Sequence, residues 1–352
     1  MKRLSLKNMN NIPLSVRRRG TINLKNSHSE SVEKINILNY ELYEIISKIN
    51  NYVIRIAKQK GTDHHYIMKI VKKIDSLENK QVNNLLTEYT ILRRIYHPFI
   101  IQLKGINTTD DKFLYFLFEF VQGGQFFNII NSNNISLEQA KFYSATLITV
   151  IDYLHRQNII MRNICPENIF LCSSGYIKIS NFTESKILIK NDYTNTLCGT
   201  PEYASPEMIM RKGHTKSHDI WTLGIFLYHM LIGHTPFEDI DPTKIQQKII
   251  EGKIRFPKNI DLEAKSLIKH LLKIEPKKRL GCGKNGICDI IYDPFYKGFD
   301  WTNLLLQNLK APYIPVIKDS DDYSNFKKFQ DDFFDEPDIQ VSKNKDPFLK
   351  WD

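Results

Sequence analysis

Two short segments of the chain each carry a side-chain amide whose chemistry differs sharply from that of the isosteric acid. The first is Ile160-Met161-Arg162-Asn163-Ile164-Cys165-Pro166-Glu167-Asn168, and the second is Ile179-Ser180-Asn181-Phe182-Thr183. A carboxylate at Asn163 could accept a proton, and one at Asn181 could hold a hard divalent cation. An amide cannot take up the proton, and it is a neutral and weaker ligand for such an ion. Lys69, in Ile67-Met68-Lys69-Ile70, and Glu88 are of opposite charge, but a lysine and a glutamate at this separation mean nothing alone. The five cysteines, at 165, 172, 198, 282 and 288, show no metal-ligand spacing, and their odd number argues against a disulfide framework. They point to a reducing, cytoplasmic compartment.

The elements that must position these residues are legible from periodicity. Residues 1–39 are polar and read as a mobile basic extension with one helical turn near Ser29–Asn36. Alternation predicts strands over Tyr40–Ile46, Tyr52–Gln59 and His65–Lys72, with Gly61-Thr62-Asp63 turning the chain between the last two. A helix comes next over Val82–Tyr96, then strands over Ile101–Asn107 and Phe113–Phe120. Beyond Gly123-Gly124 the pattern is mostly helical: Ser136–Arg156, Ser217–Ile232, Pro242–Glu251 and Asp261–Lys273. A strand-rich first lobe joined through Gly123-Gly124 to a helical second lobe makes an α+β architecture.

Composition bounds the rest. The chain has 352 residues, 42% of them hydrophobic, enough to bury a large core. No apolar stretch approaches a membrane span, residue 2 is not the glycine that myristoylation needs, and no membrane anchor is expected. The net charge of +10 is unevenly placed. Residues 1–39 hold eight Lys/Arg against two Glu, and residues 319–338 hold eight Asp/Glu against two Lys. The basic head has no aromatic before Tyr40, so it does not read as a nucleic-acid surface.

Lys69 and Glu88 gain meaning from the motifs on their C-terminal side. Arg162 with Pro166-Glu167-Asn168, Gly199-Thr200-Pro201-Glu202-Tyr203 with Ser205-Pro206-Glu207, Asp219-Ile220-Trp221-Thr222-Leu223-Gly224, and Arg279 occur in the order and spacing of a protein kinase. From Tyr40 onward the chain resembles the AGC group of serine/threonine kinases, and within it the cyclic-AMP-dependent kinase catalytic subunits. Thr196-Leu197-Cys198-Gly199-Thr200-Pro201-Glu202-Tyr203 carries that likeness, as do the tail segments Ala311-Pro312-Tyr313-Ile314-Pro315, Ser324-Asn325-Phe326, Val341-Ser342 and Phe348-Leu349-Lys350-Trp351. The resemblance implies a bilobal kinase-like fold. Its β-rich small lobe with one main helix would span 40–119, its helical large lobe 124–295, and an AGC-type tail 296–352.

The departures from the family pattern set the functional expectation. The resemblance implies that Lys69 pairs with Glu88 to orient nucleotide phosphates. Ser47, Ile49 and Tyr52 stand where the phosphate-covering loop has glycines, which let backbone N–H groups approach phosphate oxygens. The adenine slot would be lined by Ile54, the roof residue Ile67, the floor residue Phe170, and Phe118, Glu119 and Val121 at the hinge. Ile67 and Phe170 are expected to meet and plug it, at about 0.8 kcal/mol per buried methylene. Asn163 replaces the base, worth about 10²–10⁴-fold in rate. Asn181 replaces the main magnesium ligand, Cys165 a lysine that contacts the γ-phosphate, and Thr183 a glycine, while Asn168 is kept. In the substrate groove only Glu167 remains of three glutamates, the others being Gln125 and His229. No metal and no cofactor are expected on this reading.

The expectation is therefore a catalytically inactive kinase homologue, a pseudokinase, acting as a signalling scaffold or allosteric regulator. The alternative is an atypical serine/threonine kinase of weak activity that uses ATP and Mg²⁺. Thr196, with Arg162 and Lys186 as phosphate partners, Ser342, and Thr21 in Arg17-Arg18-Arg19-Gly20-Thr21-Ile22 are the expected phosphosites. The last suggests an active cyclic-AMP-dependent kinase, or its upstream kinase, among signalling partners. Leu92, Leu103, Met161 and Phe182, anchored by Asp219, should form the apolar column that joins the lobes, and Asp352 stands where relatives place an acidic group or phosphoserine.

Overall fold

A computed structural model describes residues 32–49, 51–132, 135–189, 192–331 and 340–351. Its first half is built on a six-stranded mixed sheet of spatial order β1-β5-β6-β4-β3-β2. These strands are β1 (Glu33–Lys34), β2 (Tyr40–Ile49), β3 (Tyr52–Gln59), β4 (His65–Lys72), β5 (Leu103–Asn107) and β6 (Phe113–Glu119). All neighbours run antiparallel except β1 and β5, which pair in parallel with Glu33 opposite Gly105. The ordered lobe thus begins before Tyr40. Residues 33–39, assigned from sequence to the mobile extension, supply a strand and a single 3₁₀ turn, because Ile35 is buried against the sheet and its N–H bonds to Ile106 O.

The sheet register decides which side chains face the cleft. Ile54 lies directly opposite Lys69, and Tyr52 opposite Val71. With a period of two, Tyr52, Ile54, Ile67 and Lys69 share one face. The short helix α1 (Lys73–Glu78) and the longer α2 (Val82–Leu92) come after β4. α2 turns Leu85, Glu88, Tyr89, Ile91 and Leu92 inward. It ends four residues earlier than periodicity predicts, as the chain tightens ahead of His97-Pro98.

The second half is helical. α3 (Phe126–Ser132) leads to α4 (Leu137–Arg156), whose start is fixed by a capping box in which Ser136 and Gln139 satisfy each other's backbone N–H groups. Short paired strands carry the site: β7 (Ile159–Ile160) with β10 (Lys186–Ile187), and β8 (Ile169–Leu171) with β9 (Ile177–Ile179). α5 (Pro206–Ile209), α6 (Ser217–Ile232), α7 (Pro242–Glu251), α8 (Leu262–Leu271), α9 (Cys288–Ile291) and α10 (Trp301–Leu305) complete the lobe. α6 is buried from Ser217 to Met230 and runs through the core, with its polar residues Ser217, His218, Asp219, Thr222 and His229 buried along with the apolar ones. Beside it Arg279 makes a buried fork-to-fork pair with Glu207, at 2.8 and 3.0 Å, and its Nη1 also donates to Ser217 O. No helix among the described residues is long and apolar enough to cross a membrane.

The tail returns to the small lobe. Trp351 stacks on Tyr89 with ring centroids 5.8 Å apart, and Phe348 is fully buried beside it. Lys73, itself fully buried, donates to Asp346 Oδ2 at 2.6 Å and to the carbonyls of Thr108 and Asp110. Further upstream Phe329 forms a bridge with Ile45 on the outer strand β2.

Candidate active site

The site lies where the sheet faces β8 and β9. Lys69 projects from β4 and its Nζ donates to Glu88 Oε2 on α2 at 2.7 Å; both side chains are buried, at 4% and 1% exposure. The pair expected from the sequence is therefore formed. Thr183 joins it: its Oγ1 accepts from Lys69 Nζ at 2.9 Å and donates to Glu88 Oε2 at 3.0 Å. Tyr52 also joins it, with its ring centroid 4.5 Å from the ammonium. Both stand where the family pattern has glycine, and the linear sequence does not by itself place them on Lys69. The available signals were the hydroxyl directly after Phe182 and the in-phase alternation of Tyr52 with Ile54.

The plug expected from Ile67 and Phe170 does not form. The two residues line a cavity of about 170 Å³ between the lobes and are only half-buried. Ser47, Ile49, Ile54, Phe118 and Val121 line it as expected, and Lys69, Asn168 and Asn181 stand at its polar end. Phe326 of the tail packs in one apolar cluster with both residues, its ring centre 6.3 Å from that of Phe170. Glu119 is also not where the sequence put it. Its carboxylate turns to Lys178 Nζ at 2.6 Å and to the N–H of Gln102 at 2.8 Å, and it does not line the cavity.

On the opposite wall the amides are tied to one another. Asn181, in the left-handed region at φ +59°, donates from Nδ2 to Asn168 Oδ1 at 3.0 Å. Asn168 Nδ2 donates to Asn163 O at 3.1 Å and to Cys165 Sγ at 3.2 Å. Asn163 Oδ1 accepts from Thr200 Oγ1 at 3.3 Å, beside Gly199, where φ is +81° and a Cβ would come within 2.8 Å of Arg162 O. Burial pushes the Cys165 thiol up to about 12, so it stays protonated and has no nucleophilic role. Protein kinases use ATP with Mg²⁺. The donor set here does not fit a metal held by carboxylates. The two ligand positions are neutral amides with the Asn168 oxygen already engaged, and no group of three or more His, Cys, Asp or Glu able to hold a metal ion occurs among the described residues.

The supports behind this wall are as expected. Leu92, Leu103, Met161 and Phe182 are all buried in one cluster. Asp219 accepts from the N–H groups of Met161 and Arg162, at 3.0 and 2.9 Å, and bonds to His155 at 2.8 Å. Thr196 is exposed, and Arg162 is not turned toward it: the guanidinium donates to Glu184 O and to Thr194 Oγ1. In the groove Gln125 bonds to Glu167 O at 3.3 Å. His229, held neutral by burial, sits 2.8 Å from the Tyr203 hydroxyl. Ser342 is exposed, whereas Thr21 with its basic surroundings and Asp352 lie outside the described residues.

The sequence pattern of the protein kinase domain family matches residues 50–295. The chain is 38% identical over 298 residues to the human cAMP-dependent protein kinase catalytic subunit PRKX, which covers 83% of this chain and 82% of that protein. It is 41% identical over 275 residues to the cAMP-dependent protein kinase catalytic subunit of Dictyostelium discoideum, covering 78% of this chain and 42% of the other. The serine/threonine-protein kinase YPK1 of Saccharomyces cerevisiae is 36% identical over 310 residues, covering 87% of this chain and 45% of the other. The chain thus spans most of the first relative and less than half of the latter two. These likenesses overturn the expectation that the chain is not an enzyme, because each of these relatives is named as a kinase or as the catalytic subunit of one.

Proposed function

The chain belongs to the protein kinase family, and we propose that it is an atypical serine/threonine kinase that moves the γ-phosphoryl group of ATP to protein hydroxyls at a low rate. One observation carries the reading. The Lys69–Glu88 pair is formed and buried at the polar end of an apolar cavity that remains open. A buried ammonium paired with a carboxylate, next to a slot lined by Ile54, Ile67, Phe118 and Phe170, suits a ligand with a flat ring at one end and phosphates at the other.

The chemistry tolerates the missing acids at a cost in rate. The hydroxyl oxygen of the acceptor serine or threonine bonds to the γ-phosphorus as the bond to the β–γ bridging oxygen breaks and ADP leaves. In a loose transition state the attacking hydroxyl keeps its proton until late, so positioning matters more than deprotonation. Asn163 Oδ1 can accept a hydrogen bond and orient that hydroxyl, as it now accepts from Thr200. It cannot take the proton, which passes to a phosphate oxygen or to water. Loss of base assistance costs about 10²–10⁴-fold. The buried column from Leu92 to Phe182 and the Asp219 anchor keep the segment of Asn163 aligned with the cleft.

The test is phosphate transfer from γ-labelled ATP to serine and threonine peptides by the purified chain, with Lys69→Ala as control. Slow transfer that Lys69→Ala abolishes is the expected result. Label incorporation no greater than the control's would sink the reading.

A further inference from the structure

The ammonium of Lys69 is covered as well as paired. Two of its three hydrogens are used by Glu88 Oε2 and Thr183 Oγ1, at 2.7 and 2.9 Å. The Tyr52 ring lies over it at 4.5 Å, and the Phe116 ring lies 5.7 Å away on the neighbouring strand β6. As a result Lys69 is 4% exposed and Tyr52 is 7% exposed, although both border an open cavity. The sheet register explains the cover. Tyr52 is opposite Val71, one pleat beyond the Ile54–Lys69 pair, and an aromatic side chain reaches such a diagonal neighbour on the same face. Ile49, paired with Tyr52 at the end of the hairpin, is exposed, so the hairpin end faces solvent while Tyr52 turns in.

A phosphate oxygen must come within about 2.7–2.9 Å of Nζ to form a charge-assisted hydrogen bond. The ring at 4.5 Å and the two engaged hydrogens narrow that approach, although Lys69 borders the cavity. The apolar part of the cavity is lined by Ile67, Phe118 and Phe170, none of which covers the ammonium.

We propose that Tyr52 is a gate over the phosphate anchor: the cleft accepts an adenine-type ring directly, but phosphates reach Lys69 only when Tyr52 swings away. Tyr52 therefore determines specificity. It sets how much affinity the phosphates add to the bare nucleoside, and it leaves the ring site alone. The inference rests on the kinase reading for the choice of adenine nucleotides as ligands.

The experiment compares adenosine and ADP, both without divalent metal, by calorimetric titration of the full chain and of Tyr52→Phe and Tyr52→Ala. Tyr52→Val, which keeps the strand propensity, serves if the alanine variant fails to fold. In the native chain ADP should bind no tighter than adenosine. Removing the ring should tighten ADP by about tenfold, the order expected for one desolvated cation–ring contact, and leave adenosine within about twofold. Tyr52→Phe keeps the ring and should behave as the native chain. The inference is overturned if ADP does not tighten, if adenosine tightens equally, or if Tyr52→Phe matches Tyr52→Ala. A variant that gains ADP affinity but transfers no phosphate would leave the gate standing and remove the kinase reading.

Discussion

The two walls of the cleft are built from different chemistry. The wall made by β3, β4 and α2 carries full charges, Lys69 and Glu88, buried and paired. The wall made by β8, β9 and the segment of Asn163 carries neutral amides, with Asn181, Asn168 and Asn163 bonded in series. The difference shows which changes a fold resists. Removing one partner of a buried ion pair leaves the other charge stranded, so the first wall is held by stability as well as by function. An amide has nearly the shape of a carboxylate and finds hydrogen bonds of its own, so charge can leave the second wall without a structural penalty.

The sharpest way to break this comparison is Lys69→Ala. It should abolish phosphate transfer and also cost about 3–5 kcal/mol in denaturant unfolding, because Glu88 is left buried and unpaired. A mild loss of stability would mean that the charged wall is not held by its pairing. The double change Asn163→Asp with Asn181→Asp acts on the other wall. It should raise the transfer rate by about 10²–10⁴-fold while moving the unfolding midpoint little; an unchanged rate would show that the amides are not what limits it. Asp346→Ala works from behind the first wall. With Lys73 left among carbonyls, unfolding should become easier by about 3 kcal/mol, with a weaker Lys69–Glu88 pair read out as slower transfer.

The gentlest probe is acid. Burial draws His97 and His214 each down to about 3, with His218 and Arg162 adding to the effect at His214. The fold therefore favours their neutral rings. That stabilisation is complete above the ordinary histidine value of 6.5 and is lost as pH falls toward about 3. Both rings pack against the large lobe, His97 beside Tyr153 and His214 beside His218. The melting temperature should fall steadily below pH 6.5, and His214→Phe should flatten the slope. A melting temperature constant from pH 7 to 4 would exclude this.

Much of the fold was legible in the sequence. β3, β4, α6 and α7 end where periodicity and caps place them, because Gly, Pro and Asp signals coincide with the hydrophobic phase there. Lys69, Glu88 and the column from Leu92 to Phe182 were legible because motif order over a long chain is highly specific. What escaped were contacts that depend on the third dimension. β1 has only two residues, too few for a pattern. Phe326, more than 150 residues after Phe170 in sequence, joins the apolar cluster of Ile67 and Phe170, a contact no local pattern announces. The Lys73–Asp346 pair spans 273 positions, and neither residue stands out from the many charges near it.

The ends of the six-stranded sheet have a further consequence. On one side the outermost strand is the two-residue β1, and on the other β2 is bridged at Ile45 by Phe329. Unpaired strand borders invite self-association, and very short or covered borders discourage it. Crowding many copies together should therefore leave this lobe monomeric, with β1 and the segment of Phe329 capping its two borders.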